Sequence, residues 1–134
     1  MTDKGILITV SGPSGSGKGT VLGELIKKRD DVKISVSMTT RKMRNGEIDG
    51  KSYYFVDRDY FEKKISSNGM LEYAEYAGNY YGTPKDPVDD MLREGKAVIL
   101  EIDVQGADKI KEIYPDVVRI FIMPPSIEEL QKRL

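Results

Sequence analysis

Short apolar runs and longer amphipathic stretches alternate along the chain. Gly5 to Val10 and Ala97 to Asp103 begin with continuous apolar residues rich in β-branched types. The first is closed by Ser11-Gly12-Pro13 and the second ends in two carboxylates. Such runs predict strands of a parallel sheet, buried on both faces. Val117 to Met123 is a third apolar strand, closed by Pro124-Pro125. Between the runs the period lengthens. From Lys18 to Arg29 the residues Val21, Leu22, Leu25 and Ile26 share one helical face, and Lys27, Lys28 and Arg29 suit the C-terminal end of its dipole. Ala107, Ile110 and Ile113 mark another short helix, and Asp86-Pro87 places a cap residue before a first-turn proline, opening a helix that runs to about Gly95. Strands alternating with helices imply a parallel α/β sheet.

The middle of the chain follows a different rhythm. Val32 to Met38 alternates, with Ile34, Val36 and Met38 on one face and Lys33, Ser35 and Ser37 on the other, so it predicts one half-buried strand. Thr39 to Lys51 is a polar, basic loop with turns at Asn45-Gly46 and Asp49-Gly50. Tyr53 to Val56 is a short strand. Asp57 then caps a helix carrying Tyr60, Phe61 and Ile65 that stops near Gly69. Met70 to Tyr76 alternates again, and Ala77-Gly78-Asn79 turns the chain into Tyr80-Tyr81-Gly82. A small β-rich insertion therefore interrupts the α/β pattern. Near the end, Ser126-Ile127-Glu128-Glu129 is a capping box that opens a helix about two turns before Leu134, with no stop signal, so the chain is expected to be truncated.

Composition narrows the chemistry. A chain of 134 residues supports one hydrophobic core, and 39% hydrophobic with 32% charged residues is ordinary for a folded protein. It contains no cysteine and no histidine, which removes thiolate and imidazole chemistry and leaves carboxylates, Lys, Arg, hydroxyls or a hard cation such as Mg²⁺. A net charge of −1 argues against a general nucleic-acid binder. No segment has the apolar length to cross a membrane and the start lacks the layout of a signal peptide, so the expected location is cytoplasmic.

Gly12-Pro13-Ser14-Gly15-Ser16-Gly17-Lys18-Gly19-Thr20 lies between a predicted strand and a predicted helix, which is the context a phosphate-binding P-loop requires. Small residues let backbone N–H groups turn inward around a polyphosphate, and Lys18 can bridge the β- and γ-phosphates of ATP. The hydroxyl residue that commonly follows the lysine is replaced by Gly19, with Thr20 behind it. This Lys-Gly-Thr variant resembles the nucleoside monophosphate kinases, in which Mg²⁺ is held mainly by phosphates and water. Asp103 resembles the carboxylate that holds the metal's water shell. Taken without that resemblance, Glu101 and Asp103 also read as strand-end solvation.

The run Ser35-Val36-Ser37-Met38-Thr39-Thr40-Arg41-Lys42-Met43-Arg44, with Gly46-Glu47, Gly50-Lys51 and Tyr53, closely resembles the acceptor region of the guanylate kinase family, bacterial type. Leu71-Glu72-Tyr73-Ala74, Gly78 to Thr83 and Glu101 to Gly106 match further motifs in order, so the resemblance spans essentially the whole chain. It implies a P-loop NTPase-type parallel sheet flanked by helices, with a core of 1–34 and 84–134 and a GMP-binding region of 35–83. It also implies transfer of the γ-phosphoryl of Mg·ATP to GMP. The resemblance assigns Arg41, Arg44, Tyr53 and Tyr81 to the GMP phosphate, with Lys18, Arg41 and Arg44 as catalytic groups. It assigns Ser37, Glu72 and Thr83 to guanine, with Glu101 and Asp103 at the same site.

The chemistry fits. Arginines three residues apart on a loop can fork around a monoester dianion. A carboxylate that accepts both N1–H and the N2 amino group reads guanine, whereas adenine lacks that donor pair. From charge pattern alone the basic run equally reads as a solvated loop, the tyrosines as packing, and Glu72 as an ordinary exposed strand residue. The family's later lid arginines fall beyond Leu134, so the resemblance implies an impaired fragment. A competing expectation is an inactive interaction module of the same family, whose phosphate loop is typically degraded. The expected partners are ATP and GMP, with no nucleic acid or membrane; the sequence names no protein partner.

Overall fold

The computed structural model describes residues 5–13 and 18–123. The predicted loop residues Ser14 to Gly17, the side chain of Lys18 and the capping box at Ser126 lie outside the described residues and side chains. The chain divides into two compact units, Met1–Ile34 with Met91–Leu134, and Ser35–Asp90.

In the first unit, strands β1 (Ile6–Ser11), β2 (Val32–Ile34), β7 (Ala97–Glu101) and β8 (Val118–Phe121) form a parallel sheet in the order β2-β7-β1-β8. Helix α1 (Lys18–Lys28) buries Leu22 against Val10, Val32 and Ile99, with Ile8, Ile34, Ala97 and Ile122 packed around them. On the opposite face of the same strands Leu7, Thr9, Val98 and Leu100 are also buried, as the continuous apolar runs predict. Helix α4 (Val104–Ile113) packs against β1 and buries Ala107 and Ile110. Strand β8 differs from the inner strands. Val118, Ile120 and Phe121 are exposed, because β8 lies at the outer edge of the sheet and pairs with β1 alone among the described residues.

The second unit is built on a four-stranded mixed sheet in the order β4-β3-β6-β5, from β3 (Met38–Thr39), β4 (Tyr54–Phe55), β5 (Met70–Tyr76) and β6 (Asn79–Pro84). The β5–β6 hairpin turns through Ala77 and Gly78, at φ 51° and 83°. Positive φ at both central residues is the two-residue turn whose twist matches the flanking strands, and only Gly78 adopts it without strain. Helix α2 (Arg58–Ser66) starts as predicted, with the Asp57 carboxylate accepting from the Tyr60 N–H at 2.7 Å. It buries Phe61, which stacks on Tyr80 of β6 with ring centroids 4.8 Å apart. Helix α3 (Lys85–Arg93) begins two residues before Pro87, the predicted first helical position, so Asp86 lies in its first turn and is not its cap.

The alternating stretch from Val32 to Met38 is not one strand. It is divided between β2 in the first sheet and β3 in the second, with residues 35–37 outside both. A period of two persists through the break, and alternation carries no information about which sheet each half joins.

Candidate functional site

Two sets of predicted residues are described, one in each unit. In the second unit, strand register does the assembling. Glu72 pairs with Thr83 and Ala74 with Tyr81 across the hairpin, while Tyr81 also faces Thr39 of β3 and Phe55 of β4 faces Thr39 from the other side. Directly paired residues share a face of the sheet. Glu72, Thr83, Tyr81, Thr39 and Phe55 therefore line one face, which we call the front. Tyr53 joins them there, its ring 5.7 Å from Phe55 and 6.1 Å from Tyr81.

The loop after β3 carries Arg41 onto this face. The Thr39 hydroxyl donates to the Tyr80 carbonyl and accepts from the Arg41 N–H, and the Thr40 N–H donates to the same carbonyl, so the root of the loop is pinned to β6. The Arg41 guanidinium sits 5.2 Å from the Tyr53 ring centre and 5.7 Å from that of Phe55, a cation–π arrangement. It also grips Glu47 end-on, with Nη1 to Oε1 at 2.9 Å and Nη2 to Oε2 at 2.8 Å. Gly46, at φ 86°, turns the chain so that Glu47 points back, and Glu47 Oε1 accepts a third bond from the Arg44 N–H at 2.7 Å.

These contacts set the electrostatics. Hydrogen bonding from Arg41, then from the Arg44 backbone, lowers the Glu47 pKa to about 2 against the opposing effect of desolvation. The Arg41 pKa is raised, first by hydrogen bonding to Glu47. Desolvation opposes this, and Coulombic attraction and the Tyr53 and Tyr81 hydroxyls add to it. The two side chains are only 12% and 21% exposed.

Sequence reasoning gave Arg41 and Arg44 one shared task as a fork. In the structure Arg41 holds the cluster with its side chain, and Arg44 contributes its backbone N–H and its charge to Glu47. The motif alone gives Glu47 no role; the signal for one is a carboxylate placed three residues after Arg44 and just past an Asn-Gly turn. Further along the front face the buried Thr83 hydroxyl donates to Glu72 Oε2 at 2.8 Å. Glu72 is half-buried and bonded, not the ordinary exposed strand residue that its local sequence suggests. Ser37 is half-buried just before β3, and its carbonyl accepts from the Tyr54 N–H at 2.8 Å.

In the first unit, β1 ends at Ser11 and leads through Gly12 and Pro13 toward α1, which opens at Lys18 with Gly19 and Thr20 exposed in its first turn. Parallel pairing sets Glu101 opposite Val10, so the phosphate-loop segment and the Glu101–Asp103 segment leave the same carboxyl edge of the sheet. The Ser11 hydroxyl ties the two together by donating to the Ile102 carbonyl at 2.7 Å. Asp103 caps α4, its Oδ1 accepting from the Gly106 N–H at 2.7 Å, while Glu101 is exposed.

The family model described as guanylate kinase matches residues 4–134. The chain belongs to the guanylate kinase family. It is 58% identical over 134 residues to the guanylate kinase of Clostridium acetobutylicum, matching all of this chain and 64% of that protein. The guanylate kinase of Lactococcus lactis is 57% identical over 134 residues, with 65% of its length matched. The guanylate kinase of Clostridium perfringens is 56% identical over 132 residues, covering 98% of this chain and 61% of that protein. The crystal structure of the guanylate kinase from Anaplasma phagocytophilum superimposes with a TM-score of 0.77 at 44% identity, over 97% of this chain and 66% of that one. The chain thus spans a little under two thirds of the length of these guanylate kinases. Among the described residues no helix is long and apolar enough to cross a membrane.

Proposed function

We propose that the protein transfers the γ-phosphoryl group of ATP to GMP, giving ADP and GDP, in the cytoplasm. The observation that carries this reading is the front face of the second unit. One sheet face presents a guanidinium with two phenol hydroxyls and, further along the same hairpin, a carboxylate held by a buried threonine. The first group suits a phosphate monoester and the second a base with two adjacent N–H donors. In this reading Arg41, Arg44, Tyr53 and Tyr81 hold the acceptor phosphate, while Glu72, Thr83 and Ser37 read guanine. Residues Gly12 to Thr20 hold the ATP phosphates, and Lys18 neutralises charge that develops on the transferred group.

Catalysis is then positioning plus charge stabilisation. An oxygen of the acceptor phosphate is the nucleophile, so no activated side chain is needed. Magnesium fits the residues present in one respect. Among the described residues no group of three carboxylates forms a cage, but Asp103 is an exposed hard-oxygen donor at the phosphate edge that can hold a water of an ion arriving with ATP. When bound, that ion supplies neutralisation of phosphate charge.

The test is ADP release with Mg·ATP and a panel of nucleoside monophosphates, using this chain and a version extended to the length of its relatives, each with a Lys18→Met control. Turnover with GMP in the extended chain, lost in the control, is expected. Turnover with AMP in preference would overturn the reading in favour of a kinase for another nucleotide, and no turnover in folded extended protein would overturn it in favour of an interaction module.

A further inference from the structure

A guanidinium has five N–H groups. On Arg41 three are committed: Nη1 donates to Glu47 Oε1 and to the Lys42 carbonyl, both at 2.9 Å, and Nη2 donates once to Glu47 Oε2 at 2.8 Å. The other two, Nε–H and the second Nη2–H, lie on the adjacent side edge of the same plane, where hydrogen bonding to the Tyr53 and Tyr81 hydroxyls also reaches Arg41, and form a two-pronged donor for a pair of oxygens. Glu47 has no role in the proposed function above, yet its end-on grip decides which edge of Arg41 is left for a ligand.

We propose that Glu47 is a positioning residue: it locks the end-on fork of Arg41 so that the side-on fork, beside the Tyr53 and Tyr81 hydroxyls, receives the acceptor's phosphate. The inference deepens the acceptor-site reading and rests on it. Three features argue that Glu47 stays in place when a phosphate arrives. It is tied by two bonds to Arg41 and a third to the Arg44 N–H, and the Gly46 turn fixes its backbone. Hydrogen bonding from Arg41 and from the Arg44 N–H favours its charged form. The groups facing it are Arg41 and the Arg44 backbone and charge. A glutamine at this position can accept along one arm only and sets its NH₂ against an Arg41 N–H, which frees the guanidinium to rotate.

The experiment is calorimetric titration of this chain and its variants with GMP and with guanosine, which lacks the phosphate. Glu47→Gln should weaken GMP binding by about tenfold or more, the scale of a lost charge-assisted hydrogen bond, while guanosine affinity stays within about twofold. Glu47→Asp, which keeps the charge, should recover part of the loss. In the unmodified chain the Arg41 Nε–H resonance should move with GMP and not with guanosine, a readout that requires no variant to fold. Equal losses for both ligands would reduce Glu47 to a structural residue and overturn the proposal. Tighter GMP binding by Glu47→Gln would mean that the carboxylate competes with phosphate, which overturns it too. If the unmodified chain binds GMP no better than guanosine, the acceptor-site reading itself falls.

Discussion

Tyr80 and Tyr81 are neighbours on β6, point to opposite faces of one sheet, and each meets an arginine that in turn holds a glutamate. On the back face Arg58 lies 4.4 Å from the Tyr80 ring centre, bonds Glu75 at 3.0 Å and approaches Glu62 at 3.5 Å, while the Tyr80 hydroxyl donates to Glu62. On the front face Arg41 meets Tyr53, Tyr81 and Glu47. The residue types are nearly the same, and the difference lies in solvent. The back-face ions are 45–49% exposed, and the front pair 12% and 21%. Water and salt screen the first group, so its ion pairs contribute little. The back face owes its grip to the Phe61–Tyr80 stack beneath the charges. The front face has a fixed, bidentate cation in a half-buried polar setting, which is costly to assemble without a ligand to use it.

Substitutions can break this contrast. Phe61→Ala should have the largest effect, about 3–5 kcal/mol of stability by the usual cost of emptying a buried aromatic site, read by urea unfolding. It should alter GMP and guanosine binding together, through the hairpin. Arg41→Met should lower GMP affinity about 100-fold by removing the charged fork, with guanosine little changed. Thr83→Val keeps the shape but removes the donor to Glu72. It should cost about tenfold in affinity for GMP and guanosine alike, because the carboxylate loses its orienting bond.

Acid sharpens the same comparison. A depressed folded-state pKa means that the Glu47 contribution is fully present above its ordinary value of 4.5 and is lost as pH falls through about 2. Stability should therefore decline across that window, and Glu47→Gln should flatten the decline, as followed by thermal unfolding between those limits. The smallest effect belongs to Arg58→Met, which should change GMP affinity by less than about twofold, since exposed pairs contribute little.

Much of this arrangement is legible in local sequence. The Asp57 cap, the β5–β6 hairpin, the succession of β1 and α1 and the alternation that brings Glu72 and Thr83 to one face all depend on neighbours within a few residues. The division of residues 32–39 between two sheets is not legible, because the hydrophobic period continues across it. The two faces were equally hidden. The Tyr53–Tyr81, Arg58–Tyr80 and Arg58–Glu75 contacts join residues far apart in sequence, and nothing local distinguishes Tyr80 from Tyr81 except the face that pairing gives each. Glu47 lies within the acceptor motif, but its end-on grip on Arg41 is visible only in the folded structure.

The most direct measurement of the central claim, that the front face is an acceptor site for GMP, is a nuclear magnetic resonance titration of this chain with GMP and, separately, AMP. The Arg41 Nε–H and the Thr83 and Tyr81 amides would be followed, with the Arg58 side chain as the back-face control. The account predicts saturable shifts at the front-face groups with GMP, weak or no response to AMP, and a silent Arg58. Equal responses to both nucleotides, or shifts confined to the back face, would contradict it.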